Sequence, residues 1–241
     1  MSKSFSFGTF KILSGSILKL IAVITMLIDH TALILSPQIP LMTAPLLSVG
    51  SNTITLYYIM RKIGRLAFPI FCFLIGEGFA HTRNQKRYAF RLFLFAFISE
   101  IPYNFMKGDN LFYIKSQNIF FTLFLGVLLL YIFENINREF LKGIAMLLIC
   151  GLAVILKPDY GLSGTLLILL MHVLRHLPAV QAVLAYPFLS GGLFSLAAFI
   201  PINMYNKKRG FIHSTALKYL FYLFYPLHIT VLLIIKLVLS Q

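Results

Sequence analysis

From Leu18 to Leu35 the chain carries no charge except Lys19 at its start and the adjacent pair Asp29-His30. A run of that length and character reads as a membrane-spanning helix. At 1.5 Å rise per residue, His30 lies about 18 Å beyond Leu18, past the middle of a ~30 Å hydrocarbon core. An acid and an imidazole at that depth cost several kcal/mol unless they are partnered or face water, which makes the pair a functional site by default. The structural alternative is that both merely hydrogen-bond to neighbouring helices.

Composition agrees with that class. Of the 241 residues 59% are hydrophobic and only 12% charged, about half the charge of a soluble domain. The expected fold is all-α: a polytopic transmembrane helical bundle in which residues 1–241 form one integral membrane domain. The formal charge of +14 comes from 21 Lys and Arg against seven Asp and Glu. The basic residues sit mostly between apolar runs, where the bilayer charge rule puts them, so they argue for topology and not for a nucleic-acid partner. Cys72 and Cys150 lie inside apolar segments and read as buried thiols. The first apolar run lacks a small-x-small cleavage site and is too long for a signal peptide.

Nine spans are expected: 18–35, 41–60, 66–80, 92–105, 119–133, 144–156, 162–174, 179–200 and 220–235. The second has a polar middle of Ser48, Gly50, Ser51, Asn52, Thr53 and Thr55. It is retained because nine spans with a cytoplasmic N-terminus put 13 of the 21 Lys and Arg inside, whereas dropping it gives 11. This assignment brings Arg61-Lys62-Ile-Gly-Arg65 and Lys207-Lys208-Arg209 to the same cytoplasmic face. It turns the basic run His81–Arg87 outward, against the rule.

Two further acids lie within apolar segments. Glu77 is flanked by Gly76 and Gly78, and Glu100 sits in Phe97-Ile-Ser-Glu-Ile-Pro102. Neither has a Lys or Arg one helical turn away, so each needs a partner on another helix, a proton or water. Near the C-terminus Tyr219, Tyr222 and Tyr225 recur every three residues and share a helix face, followed by His228. An aromatic belt accounts for Tyr219 but less well for the deeper Tyr225 and His228. His172 and His176 are spaced i,i+4, but without an intervening glutamate they read as an interfacial pair, and no metal is expected.

Seven ordered blocks resemble the TraX family: Leu18–His30, Arg61–Phe71, Glu77–Asn84, Ile98–Pro102, Gln117–Thr122, Tyr205–Gly210 and Tyr222–His228. The resemblance covers nearly the whole chain. It implies a membrane acetyltransferase, the founding member being linked to N-terminal acetylation of a conjugative pilin subunit. The same blocks resemble, more distantly, the acyltransferase-3 group, which has a basic residue, ten residues and a histidine in its first span, matched here by Lys19 and His30. Its R-x-x-R motif is matched by Lys62-Ile-Gly-Arg65, with Arg61 alongside, and its late tyrosine–leucine–histidine pattern by Tyr225-Pro-Leu-His228.

The implied chemistry is transfer of an acetyl group from cytoplasmic acetyl-CoA to an acceptor, with no metal. Lys19, Arg61, Lys62, Arg65, Lys207, Lys208 and Arg209 are expected to hold the donor's phosphates. His30 is the expected general base, because imidazole titrates near neutral pH. Asp29 points about 100° away from His30 on a helix, so Glu77 or Glu100 is the expected orienter of the ring. Asn118, Tyr222, Tyr225 and His228 are expected to line the acceptor. Amine and hydroxyl acceptors, a peptide or pilin-like N-terminus on one hand and an envelope glycan or lipid-linked sugar on the other, stay open. A proton-coupled small-molecule transporter would also place acids and histidines at mid-membrane. The double basic cluster favours the enzyme. The expected location is the cytoplasmic membrane, with lipid as surroundings.

Overall fold

The computed structural model of the protein describes residues 11–49 and 52–241. It is mostly helical, and four of its helical stretches are long and apolar enough to cross a membrane: Gly15–Leu35, Leu56–His81, Glu139–Leu156 and Thr215–Leu239. The first, α1 (Gly15–Leu35), starts where the Ser14 side chain accepts from the Ile17 amide. A short α2 (Pro40–Thr43) leads into an antiparallel hairpin, β1 (Pro45–Val49) and β2 (Asn52–Thr55). The expected span over 41–60 is therefore not a helix. Its β-branched Thr53, Ile54 and Thr55 pair across the ladder, and the Gly and Ser between the strands, outside the described residues, are turn-forming types.

Thr55 then caps α3 (Leu56–Gly64), which continues almost directly into α4 (Ala67–His81). The break at Arg65-Leu66 precedes Pro69, which is tolerated in the first turn of α4 but not in the interior of a continuous helix. Next come α5 (Gln85–Gly108), α6 (Ile119–Asn135), α7 (Glu139–Leu156) and α8 (Gly161–Val173). The expected span over 179–200 is broken as well. It comprises α9 (Pro178–Ala185), a 3-10 turn at Tyr186–Phe188, α10 (Leu193–Leu196) and α11 (Phe199–Asn203), with Pro187 and the Gly191-Gly192 pair at the bend. Finally α12 (Thr215–Leu239) runs through Pro226.

Paired ends fix the direction of each helix. The loop around Arg209 clamps the start of α1: Gly15 donates to the Lys208 carbonyl (2.8 Å), and Ser16 donates to the Arg209 carbonyl through both its amide (2.9 Å) and its hydroxyl (2.7 Å). Gly210 has φ +82°, and a Cβ there would fall on the Ser14 and Ser16 hydroxyls, so the clamp needs glycine. Asn135 bonds Gln85, placing the end of α6 beside the start of α5. Lys236 bonds Asp109, placing the end of α12 beside the end of α5. The bundle thus has a near end, at Ser14, and a far end, at Leu35.

This frame corrects the charge assignment. Because 41–60 does not cross, Arg61, Lys62 and Arg65 lie at the far end with Lys107, Lys115, Lys157 and Lys236. Lys207–Arg209 lie at the near end, and the two basic clusters do not share a face. The run His81–Arg87, between α4 and α5, joins Lys207–Arg209 at the near end. Among the described residues the near end holds about twice as many Lys and Arg as the far end, a clear bias of the kind the bilayer rule describes.

The core lies between α1, α4, α6 and α8, with Leu18, Ile70, Leu92, Leu125, Leu130 and Ile168 fully covered. In contrast, α7 covers little: Leu147, Leu148 and Ile155 are each more than two-thirds exposed. Such a helix face is unfavourable in water and suits hydrocarbon.

Candidate functional site

A cavity of about 460 Å³ opens between the far halves of α1, α3, α4 and α8 and the bend at 187–190. Polar side chains converge there from separate elements: Asp29 and His30 on α1, Arg61 and Arg65 from the α3–α4 junction, Lys107 on α5, Asp159 and Tyr160 ahead of α8, and Tyr225 on α12. Met26, Phe68, Phe71 and Leu189 supply apolar wall. This is the mix of apolar surface and a few convergent polar groups that defines a small-molecule site.

Asp29 and His30 diverge as adjacent helical residues must. Asp29 faces α3, where its Oδ2 accepts from Arg61 Nη1 at 2.6 Å. Its Oδ1 is buried and accepts nothing among the described residues. Gly64 makes this approach possible, because a Cβ at that position would fall on the Asp29 carboxylate. His30 faces α12 and meets His228.

The proton positions on that histidine pair follow from hydrogen-bond valence. His228 Nδ1 lies 2.6 Å from the Phe224 carbonyl oxygen, which can only accept, so Nδ1 carries the proton. In the neutral ring Nε2 is then an acceptor. It lies 2.6 Å from His30 Nδ1, which must donate. The His30 proton is therefore on Nδ1, and its Nε2 keeps a lone pair. Phe224 stacks on the His228 ring at 4.7 Å, and Tyr225 meets the His30 ring edge-on at 5.9 Å. These contacts fix both ring planes. The orienter of His30 is thus His228, not Glu77 or Glu100.

Glu100 has another task. Its Oε2 accepts from Asn118 Nδ2, which also donates to the Ala96 carbonyl, while Asn118 Oδ1 accepts from the Phe120 amide and caps α6. The pair ties α5 to α6 beside the cavity without lining it. Glu77 is near the other end of α4, beside Tyr205. Burial and that carboxylate push the Tyr205 hydroxyl up to about 12, so it stays a neutral donor.

Other expected site residues fall away from the cavity. Lys62 turns outward and sits over the rings of Phe194 and Tyr58, at 4.7 and 5.0 Å. Lys19, Lys207, Lys208 and Arg209 are at the near end, and Tyr222, in the near half of α12, stacks on Phe95 at 5.1 Å. His172 is buried against Phe79, with Nε2 2.8 Å from Glu134, and ties α8 to α6. Among the described residues no group of three or more His, Cys, Asp or Glu is arranged to hold a metal ion.

Sequence reasoning missed Lys107, Asp159, Tyr160 and Ser190. Lys107 pairs with Asp159 at 3.4 Å, and Tyr103 bonds both Ser116 (2.9 Å) and Asp159 (3.4 Å). The usable signal was Pro158-Asp159-Tyr160-Gly161, a turn sequence carrying one of only seven acids at the edge of an apolar run. Arg65 donates to the Ser190 hydroxyl at 3.5 Å and, unlike Arg61 and Lys107, has no carboxylate partner among the described residues.

Four helices long and apolar enough to cross a membrane, packed around a cavity with polar walls, give the class: a helical membrane protein with a site between its helices. The family described as TraX protein matches residues 14–236, and the chain belongs to it. A probable fimbrial assembly protein FimC, serogroup H1, of Dichelobacter nodosus is 30% identical over 262 residues, spanning 96% of this chain and 97% of that protein. An uncharacterized protein, RP591, of Rickettsia prowazekii (strain Madrid E) is 28% identical over 164 residues, covering 66% of this chain and 55% of that protein. No solved structure matches the chain.

Proposed function

We propose that the protein is a membrane acetyltransferase that moves an acetyl group from cytoplasmic acetyl-CoA to an amine on a peptide such as a pilin-like N-terminus. The carrying observation is the hydrogen-bonded series Phe224 carbonyl, His228, His30, which leaves His30 Nε2 as a proton acceptor on a residue of the cavity wall. TraX membership and the fimbrial assembly relative favour a pilus-related acceptor.

In this reading the acceptor nitrogen attacks the thioester carbonyl and gives up a proton to His30 Nε2. A C–N bond forms, the C–S bond breaks, and His30 returns its proton to the departing sulfur. Arg61, Arg65 and Lys107 supply positive charge for the oxyanion of the tetrahedral intermediate. The unpaired Asp29 Oδ1 favours an amine over a hydroxyl, because a neutral amine has one N–H to donate to that oxygen and a second to give to His30, whereas a hydroxyl has a single proton. O-acetylation of a glycan leaves that oxygen unused.

The near end, with its excess of Lys and Arg, is assigned to the cytoplasm, and the cavity end to the opposite side. Donor and acceptor then approach His30 from opposite faces of the membrane.

Purified protein in proteoliposomes, supplied with acetyl-CoA and a peptide bearing a free N-terminus, tests the reading. Mass spectrometry should find N-acetylated peptide with the parent protein and none with His30→Ala. Absence of transfer by the parent to amine, serine-hydroxyl and glycan acceptors alike refutes the acetyltransferase reading.

A further inference from the structure

The cavity wall carries three cations, Arg61, Arg65 and Lys107, and two carboxylates, Asp29 and Asp159. Both carboxylates are taken. Arg61 Nη1 is 2.6 Å from Asp29 Oδ2, and Lys107 Nζ is 3.4 Å from Asp159 Oδ1. Arg65 is left over. Among the described residues its guanidinium donates to the Ser190 hydroxyl from Nη1 at 3.5 Å, a long and weak bond. With the histidine pair neutral, the wall holds one positive charge in excess. That charge sits on a group with most of its N–H donors unspent.

Arg65 is also held in place. It stands at the α3–α4 break, next to Gly64, which packs on the Asp29 carboxylate. On its other side the bend passes so close that a Cβ at Gly191 would lie 2.8 Å from both Cβ and Cγ of Arg65. The stem is thus fixed between α1 and the bend, and the guanidinium ends at Ser190, in the wall that also holds His30. A cation positioned before its ligand arrives loses little freedom on binding.

Charge balance says what such a cation takes. One unpaired guanidinium matches one singly charged anion, and its planar fork matches a carboxylate. A CoA donor brings a pyrophosphate and a 3′-phosphate, several negative charges that one cation does not neutralise. Size sets the distance. A sphere with the volume of the cavity is about 10 Å across, the length of about three residues of extended chain.

We propose that Arg65 selects the acceptor by binding a carboxylate that lies within about three residues of the amine to be acetylated. The inference rests on the amine acetyl-transfer reading and adds to it the class of acceptor: a peptide with an acidic side chain close to its N-terminus. Its amine meets His30 Nε2 while its carboxylate supplies the partner that Arg65 lacks.

The test compares three peptides that differ only in the residue after a free N-terminal alanine, which is glutamate, glutamine or lysine. Binding to the detergent-solubilised full chain and kcat/KM for acetylation are both measured. The parent should favour the glutamate peptide over the glutamine peptide about tenfold in both, and should disfavour the lysine peptide. Arg65→Gln should bring the glutamate-to-glutamine ratio to about one, Arg65→Lys should keep part of it, and Arg65→Glu should turn the preference to lysine. Lys115→Gln, a far-end charge outside the cavity wall, should keep the parental ratio. Whatever charge Arg65 lends to the oxyanion is common to all three peptides, so a ratio taken within one protein isolates the carboxylate contact. A parent that treats glutamate and glutamine alike overturns the proposal without any variant. Parental preference in Arg65→Gln overturns it too, and loss of CoA binding in that variant would return Arg65 to the donor. A parent that binds the glutamate peptide selectively yet acetylates none of the three leaves the carboxylate seat standing and removes the acetyl-transfer reading.

Discussion

Removing the His228 ring should disable His30 without touching it. His228 spends its Nδ1 proton on the Phe224 carbonyl, so its Nε2 is the acceptor that holds the His30 proton on Nδ1. In His228→Ala that Nδ1–H faces Phe224 and Tyr225, which offer no acceptor ring nitrogen. The lost hydrogen bond is worth about 1 kcal/mol net, and the freed ring also populates the tautomer with its proton on Nε2, the atom that must be empty. Together these effects amount to about 2 kcal/mol, or roughly a thirtyfold fall in kcat/KM. His30→Ala should fall further, by about 10²–10⁴. Because the residues act as one unit, the double variant should be no worse than His30→Ala, giving a coupling energy of about 2 kcal/mol. His228→Gln, whose side-chain oxygen can accept from His30 Nδ1, should recover part of the loss. The assay is acetyl transfer to a peptide by the four proteins of the cycle, each checked for parental thermal stability. Additive losses, or full activity in His228→Ala, refute the argument that one ring sets the proton on the other.

Other consequences are as direct. Gly64→Ala, in place of the usual helix gain of up to about 1 kcal/mol, should lower both melting temperature and activity, since the new Cβ meets the Asp29 carboxylate; a more stable, fully active variant refutes the close packing of α3 on α1. Asp29→Asn should raise KM for an amine acceptor about tenfold while kcat changes less, and equal effects on amine and hydroxyl acceptors would remove its amine-binding role. His172→Ala should cost about 2 kcal/mol or more of stability, read by thermal unfolding, and leave transfer at parental rate when folded, because its partners Glu134 and Phe79 lie away from the cavity. With Cys72 and Cys150 replaced, single cysteines at Gln85 and Lys115 should label from opposite sides of the membrane; labelling from one side refutes the directions assigned to α5.

The helical class was legible from composition and apolar run length, because lipid permits few alternatives. His30 was legible too, from charge placed at depth. Its partner was not. His228 is separated from His30 by 198 positions, and nothing local to either says that they meet. Reasoning from charge alone favoured Glu77 or Glu100, because a carboxylate is the commoner orienter of an imidazole. The structure gives Glu100 to Asn118 and the α6 cap, a demand for backbone satisfaction that has no apolar-pattern signature. Asp159 and Lys107 escaped because they sit at segment edges, where charge is unremarked.

The largest error was one of parity. Reading 41–60 as a crossing inverted every later segment as far as the next miscounted one, so Arg61–Arg65 fell on the same face as Lys207–Arg209. Hydropathy cannot separate a twenty-residue apolar helix from a short helix and a hairpin of similar composition, whereas Ser48, Thr53 and Thr55 at strand spacing can. The hairpin sends the basic run 81–87 to the near end, and together with the break in 179–200, which keeps Lys207–Arg209 there, it strengthens the charge bias. It also changes the chemistry. With both clusters on one face, all the expected phosphate-binding cations would stand together at the membrane surface, away from His30. With the clusters at opposite ends, Arg61 and Arg65 stand with Asp29 and His30 in the cavity wall. In the proposed transfer these two arginines serve the acceptor and the oxyanion, and not the donor's phosphates.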